Sequence, residues 1–110
     1  MRLGIVGGLE RNTRHYEALA RERGHSVECH GGHLEGTGAA TLENLVARSD
    51  LVVVCTDVNS HAAVWRAKRL ARQHGRACVL VRRLGTSRLE RLLDAGGDEV
   101  AVHRALARSA

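Results

Sequence analysis

Apolar residues gather in four short runs, at 3–6, 26–29, 51–55 and 78–81, and each is followed by a stretch long enough for a helix. Three of the runs are continuously apolar, which predicts strands buried on both faces. Tyr16, Leu19, Ala20 and Arg23 follow a 3-4 spacing that predicts a first helix, with Gly24 as its stop. Leu42, Leu45 and Val46 predict a second, shorter helix. Ala63, Ala67, Leu70 and Ala71 predict a third, capped by Asn59 or Ser60 and ending before Gly75. Leu89, Leu92 and Leu93 predict a fourth, capped by Thr86 or Ser87 and closed by Gly96-Gly97, and the tail at 98–107 reads as a further helix. Strand–helix alternation of this kind makes a parallel sheet with right-handed crossovers and helices on both faces. The expectation is one α/β domain over residues 1–110, with a four-stranded sheet in the order 2-1-3-4, the flavodoxin-like or half-Rossmann plan, and 98–110 as an appended helix.

Composition agrees with one domain: 110 residues, 44% hydrophobic and 26% charged. With one Trp, one Tyr and no Phe, the core must be aliphatic, which suits helices on a small sheet better than a β-sandwich. No apolar run approaches a membrane span, and the start MRLGIVGG lacks a secretory pattern, so a cytoplasmic protein is expected. Cys29, Cys55 and Cys78 form no C-x-x-C, which fits a reduced compartment, and Cys78 and Cys55 read as buried strand residues. The formal charge is +5, with Arg supplying nearly all the cations. The arginines are spread over every predicted helix without interleaved aromatics, which argues against nucleic acid. A small sheet buries limited core, so a homodimer is expected.

In an open parallel sheet, ligands bind beyond the carboxyl ends of the strands. Here those ends read Gly7-Gly8-Leu9-Glu10-Arg11-Asn12, Cys29-His30-Gly31-Gly32-His33, Thr56-Asp57-Val58-Asn59-Ser60-His61 and Arg82-Arg83-Leu84-Gly85-Thr86-Ser87. Three of the seven histidines fall on that edge, whereas His15, His25, His74 and His103 read as exposed helix residues. The first candidate is therefore a Zn or Fe site. His30 and His33 lie on a glycine-rich loop over 30–40, His61 opens the third helix, and Asp57 is a fourth ligand or a histidine orienter. Alternation sends Cys29 and His30 to opposite faces, so both are not expected on one ion. The plain alternative is that the loop histidines are solvated and His61 helps cap a helix.

The second candidate is a phosphate or nucleotide. Gly7 and Gly8 leave backbone bare at a strand end, and Ser60 and Thr86 start helices whose N–H groups bind anions. Arg82 or Arg83 supplies the cation, since alternation lets only one of them face the site. Gly4-Ile5-Val6-Gly7-Gly8 is not G-x-G-x-x-G, although Glu28 falls where a ribose-binding acid would stand. No nucleophile motif is present: six residues past Cys55 stands His61, six past Cys78 stands Leu84, and there is no G-x-S-x-G. Enzymatic activity has no support.

Ile5-Val6-Gly7-Gly8, Tyr16, His30-Gly31-Gly32-His33, Thr56-Asp57-Val58-Asn59-Ser60-His61 and Lys68 together resemble a bacterial family, domain of unknown function 2325, over about Met1 to Ser87. The resemblance implies where the site lies and leaves its chemistry open. A Cys that often follows the family's Lys is replaced here by Ala71, which weakens a Cys-containing metal site. The sequence thus points to a small regulatory or sensor-type metal-binding domain through His30, His33, His61 and Asp57, with Lys68 and Arg82 shaping the electrostatics. The alternatives are a phosphate- or nucleotide-binding module using Gly7, Gly8, Ser60, Arg82 and Thr86, and a non-catalytic assembly protein.

Overall fold

The computed structural model describes residues 1–8 and 10–96; Leu9, Gly97, His103 and the expected helix at 98–110 lie outside the described residues. Four strands, β1 (Arg2–Val6), β2 (Ser26–His30), β3 (Leu51–Cys55) and β4 (Ala77–Val81), form a parallel sheet in the order β2-β1-β3-β4. A 3-10 turn (Glu10–Asn12) leads into α1 (Thr13–Glu22), and α2 (Gly38–Arg48), α3 (His61–Gln73) and α4 (Thr86–Ala95) follow their strands. Order and class are those that the hydrophobic pattern predicts.

The strands divide their side chains between two cores. On one face Leu3, Ile5, Val53, Val79 and Val81 pack with Tyr16 and Ala20 of α1 and with Leu89, Leu92 and Leu93 of α4. On the other, Val6, Val52 and Val54 pack with Leu42, Leu45 and Val46 of α2 and with Ala67, Leu70 and Ala71 of α3. β3 is buried throughout its length. β4 is an edge strand, so Cys78 is only half-buried and Leu80 stands 46% exposed, against the expectation of a strand covered on both faces.

Helix ends follow from local chemistry. Ser60 Oγ accepts the Ala63 N–H at 3.1 Å and caps α3. Gly96, at φ +64°, closes α4 in the left-handed region. α4 itself begins after Gly85, one residue earlier than the expected Ser or Thr cap, so no side chain caps it. His25 and His74 are half-buried rather than free in solvent: His25 Nδ1 lies 2.8 Å from the N-terminal amine, and His74 Nε2 lies 3.3 Å from Glu43. Among the described residues no helix is long and apolar enough to cross a membrane.

The closeness of α2 to β1 depends on Gly4. A Cβ there would lie against Ser49 Oγ and 2.6 Å from Leu45 Cδ2, and Ser49 is itself buried with its hydroxyl donated to Leu45 O at 2.6 Å. Gly4→Ala therefore forces α2 off the sheet and is expected to cost about 1–3 kcal/mol, read as a lower urea midpoint with an unchanged m-value.

Candidate functional site

All four strands end at one edge, and there a cavity of about 520 Å³ opens between β1, β3, α1 and the β4–α4 turn. That volume is in the range of small-molecule sites. Its inner wall is apolar, formed by Ile5, Tyr16, Cys29, Cys55 and Leu84, and its mouth carries Asn12, Thr13, Asp57, Arg82 and Arg83. Apolar depth with a polar rim suits an amphipathic small molecule better than a bare ion.

Gly7 and Gly8 line this cavity, and both adopt φ +87°. Their N–H groups are engaged, Gly7 to His30 O and Gly8 to Val58 O, each at 2.7 Å. The bare backbone expected from the sequence is therefore not available as a donor set; the two glycines contribute space. At Gly7 the need is double, since a Cβ would fall 2.6 Å from Asn59 Nδ2 as well as requiring a left-handed backbone.

Arg82 and Arg83 both face the mouth, where only one was expected. β4 has ended at Val81, so strand alternation no longer applies to them. Arg83 Nε donates to Asp57 Oδ2 at 2.6 Å and Arg82 Nε lies 3.9 Å from Oδ1. The Arg83 hydrogen bond, helped by the charge of both guanidinium groups, holds the Asp57 carboxyl below its ordinary pKa. A cation seeking Asp57 would compete with two arginines.

Two thiols sit in the inner wall. Burial pushes Cys55 up to about 11 and raises Cys29 as well, even though the Thr13 hydroxyl hydrogen-bonds Cys29 and opposes the rise. Burial also raises Tyr16, against a hydrogen bond from the Asn12 side chain. The wall is neutral at physiological pH.

Of the edge's three histidines His30 lines the cavity while His33 and His61 do not, and the His30 ring is engaged within the fold. His30 is buried and points away from Cys29, as alternation predicts. Its Nδ1 accepts the Gly32 N–H at 3.0 Å, which places the ring proton on Nε2, 2.9 Å from Gly38 O and 3.2 Å from Thr41 Oγ1. Both ring nitrogens thus tie down the glycine-rich loop, with the exposed His33 ring stacked on His30 at a centroid separation of 4.7 Å. His61 is exposed at the first position of α3. Among the described residues no group of three His, Cys, Asp or Glu side chains is placed to hold a metal ion.

Ser60 and Thr86 do not line the cavity: Ser60 Oγ donates to Gly32 O at 3.1 Å, and Thr86 faces a separate depression beside Ser87 and Arg91. Glu28 lies on the far face of β2, paired with Arg48 of α2 at 2.7 Å, so it is no ribose acceptor. Lys68 sits over the Trp65 ring, 4.8 Å from its centroid, outside the cavity.

Asn59 is the residue whose importance the sequence hides. Its Nδ2 donates to Cys55 O at 2.8 Å and reaches Val6 O at 3.4 Å, while its Oδ1 accepts the Ser60 N–H at 2.9 Å. It joins the ends of β1 and β3 and fills the space that Gly7 and Gly32 leave open; a Cβ on Gly32 would collide with its Oδ1. Its place beside Ser60 suggests a helix cap, and only the folded chain shows the cross-strand role.

His30 makes stability depend on pH. Burial, the largest cause, and the neighbouring His33 lower its pKa from the ordinary 6.5, against the Gly38 hydrogen bond, so the unfolded chain binds the proton more readily. The contribution of neutral His30 is fully present above 6.5 and is lost as pH falls from there through the folded value. Melting temperature should therefore decline as pH falls below about 6.5 through the lowered folded value, and His30→Gln, less stable at neutral pH, should show a shallower decline.

Residues 2–95 match a bacterial family described as "Uncharacterized protein conserved in bacteria (DUF2325)". Two UPF0751 proteins of Desulfitobacterium hafniense, from strains DCB-2 and Y51, are each 34% identical over 89 residues, covering 79% of this chain and 86% of the relative. Another from strain Y51 is 30% identical over 76 residues, covering 69% of this chain and 74% of its own. No solved structure matches. The matched segment runs from β1 to the end of α4 and takes in every residue of the cavity wall, so the chain belongs to the bacterial family DUF2325.

Proposed function

We propose that this protein is a non-catalytic binding module for a small organic anion of the phosphate or nucleotide class. The observation that carries the reading is the cavity itself: an apolar interior at the carboxyl edge of the sheet, with Arg82 and Arg83 at its mouth and the start of α4 beside it. α4 opens at Gly85 with neither a side-chain cap nor an acidic residue in its first turn, so its N–H groups and dipole favour a negative group there. The apolar body of the ligand would lie among Ile5, Tyr16, Cys29, Cys55 and Leu84, and its anion would meet Arg82. Asp57 orients the two guanidinium groups without neutralising both, since Arg82 lies 3.9 Å away. The raised pKa values of Cys29 and Cys55 favour binding over covalent chemistry, because a protonated thiol is a poor nucleophile. Binding without turnover suits a sensor-type or regulatory role.

Thermal unfolding with inorganic phosphate, nucleoside mono- and triphosphates tests this. A ligand at 100 times its Kd adds about 2.7 kcal/mol of stability, a rise of several degrees in Tm for a domain of this size. Arg82→Ala is expected to lose most of that rise while keeping the Tm of the ligand-free protein. Absence of any shift across the series overturns the reading. One equivalent of zinc or iron in protein purified without an affinity tag, reduced in His61→Ala, would put a histidine metal site in its place.

A further inference from the structure

The face of the molecule opposite the cavity carries a different chemistry. α3 reads HAAVWRAKRLARQ: four cations, no acid, and the only tryptophan of the chain. Each of α1, α2 and α4 contains at least one Glu or Asp. Ala63, Ala67, Leu70 and Ala71 are buried, which turns Ala62, Trp65, Arg69 and Arg72 outward at 3-4-3 spacing on one stripe. Trp65 is 69% exposed, and a shallow groove along it is lined by Ala62, Arg66, Lys68, Arg69 and Arg72.

What sets these cations apart is that four of them share one helix with no carboxylate partner. Elsewhere Arg23, Arg48 and Arg83 each hydrogen-bond a carboxylate. Among the described residues Arg66, Lys68, Arg69 and Arg72 meet none, and Lys68 instead lies over the Trp65 ring. Four uncompensated charges on one helix face form a concentrated positive field, which the chain-wide spread of arginines conceals. A symmetric second copy on this face would set these cations against their own equivalents.

We propose that the α3 face binds single-stranded nucleic acid without sequence preference, with a base stacked on Trp65 and phosphates held by Arg66, Lys68, Arg69 and Arg72. Exposed aromatic surface flanked by cations that no carboxylate neutralises is the combination that such binding requires, since the phosphates supply affinity and any base offers a π-face. Charge complementarity favours a polyanion. The indole, in turn, favours one with bases over one without. α3 is about 20 Å long, enough for a short oligonucleotide segment and too little for an extensive interface, so a Kd of roughly 1–100 µM at moderate salt is expected.

The experiment uses the full chain and a labelled oligothymidylate. Trp65 is the sole tryptophan, so its fluorescence reports the contact directly and should be quenched as anisotropy of the label rises. Trp65→Ala should weaken binding about 5- to 100-fold, while Trp65→Phe retains most of it. The pair Arg69→Glu and Arg72→Glu should weaken it at least tenfold, and the slope of log K against log salt should be about −2 to −3 for four phosphate contacts. All these positions are at the surface, so circular dichroism should show unchanged folding. The proposal is overturned if Trp65→Ala binds as tightly as the parent or if the oligonucleotide binds without quenching. It is equally overturned if heparin competes while Trp65 has no effect, or if anionic phosphatidylserine vesicles shift Trp65 emission and the oligonucleotide does not.

Discussion

β3 must be buried on both faces. Five consecutive apolar residues, Leu51 to Cys55, leave no side of that strand that water can wet, and the chain can satisfy it only with helices above and below and with strands on either edge. Crossovers between parallel strands then bring every strand out at the same end. The edge where Gly7, His30, Asp57 and Arg82 meet is thus a consequence of how the sheet is covered. A ligand site needs convergence, and the fold provides it before any functional residue is chosen.

Given that edge, local chemistry divides it in two. On the α2 side His30, Asn59 and Ser60 form a closed hydrogen-bonded lock around Gly32 and Gly38, in which donors and acceptors answer one another. Such a lock makes the loop rigid and leaves its members little capacity for an outside ligand. On the α1 and α4 side the wall is apolar, the thiols are protonated, and the charged groups stand at the rim. Rigidity on one side and an open cavity on the other are complementary, because the Gly7–His30 hydrogen bond fixes the turn that roofs the cavity.

The two faces of the sheet also differ in electrostatics. α1 and α4 are tied by Arg23, just past the end of α1, which reaches Glu90 and Asp94 of α4 near the surface, where such pairs contribute little to stability. α3 carries cations with no acid on the helix. An aliphatic core permits this asymmetry, since nothing in the packing of Ala67, Leu70 and Ala71 constrains which polar residues stand on the outer stripe.

What the sequence determined by itself was periodic and local. Apolar runs of the right length, 3-4 spacing behind them, Ser60 before α3 and Gly96 after α4 dictate the elements and their order, because burial and backbone capping act over a few residues. It also sent Cys29 and His30 to opposite faces. What only the tertiary structure decided was how polar groups distant in the chain partner one another: that His30 faces Gly38 across the loop, that Asn59 bridges two strand ends, that both Arg82 and Arg83 turn to Asp57, and that Glu28 belongs to Arg48. A hydrogen bond or ion pair depends on distances of a few tenths of an ångström between separate elements, and no spacing along the chain encodes that.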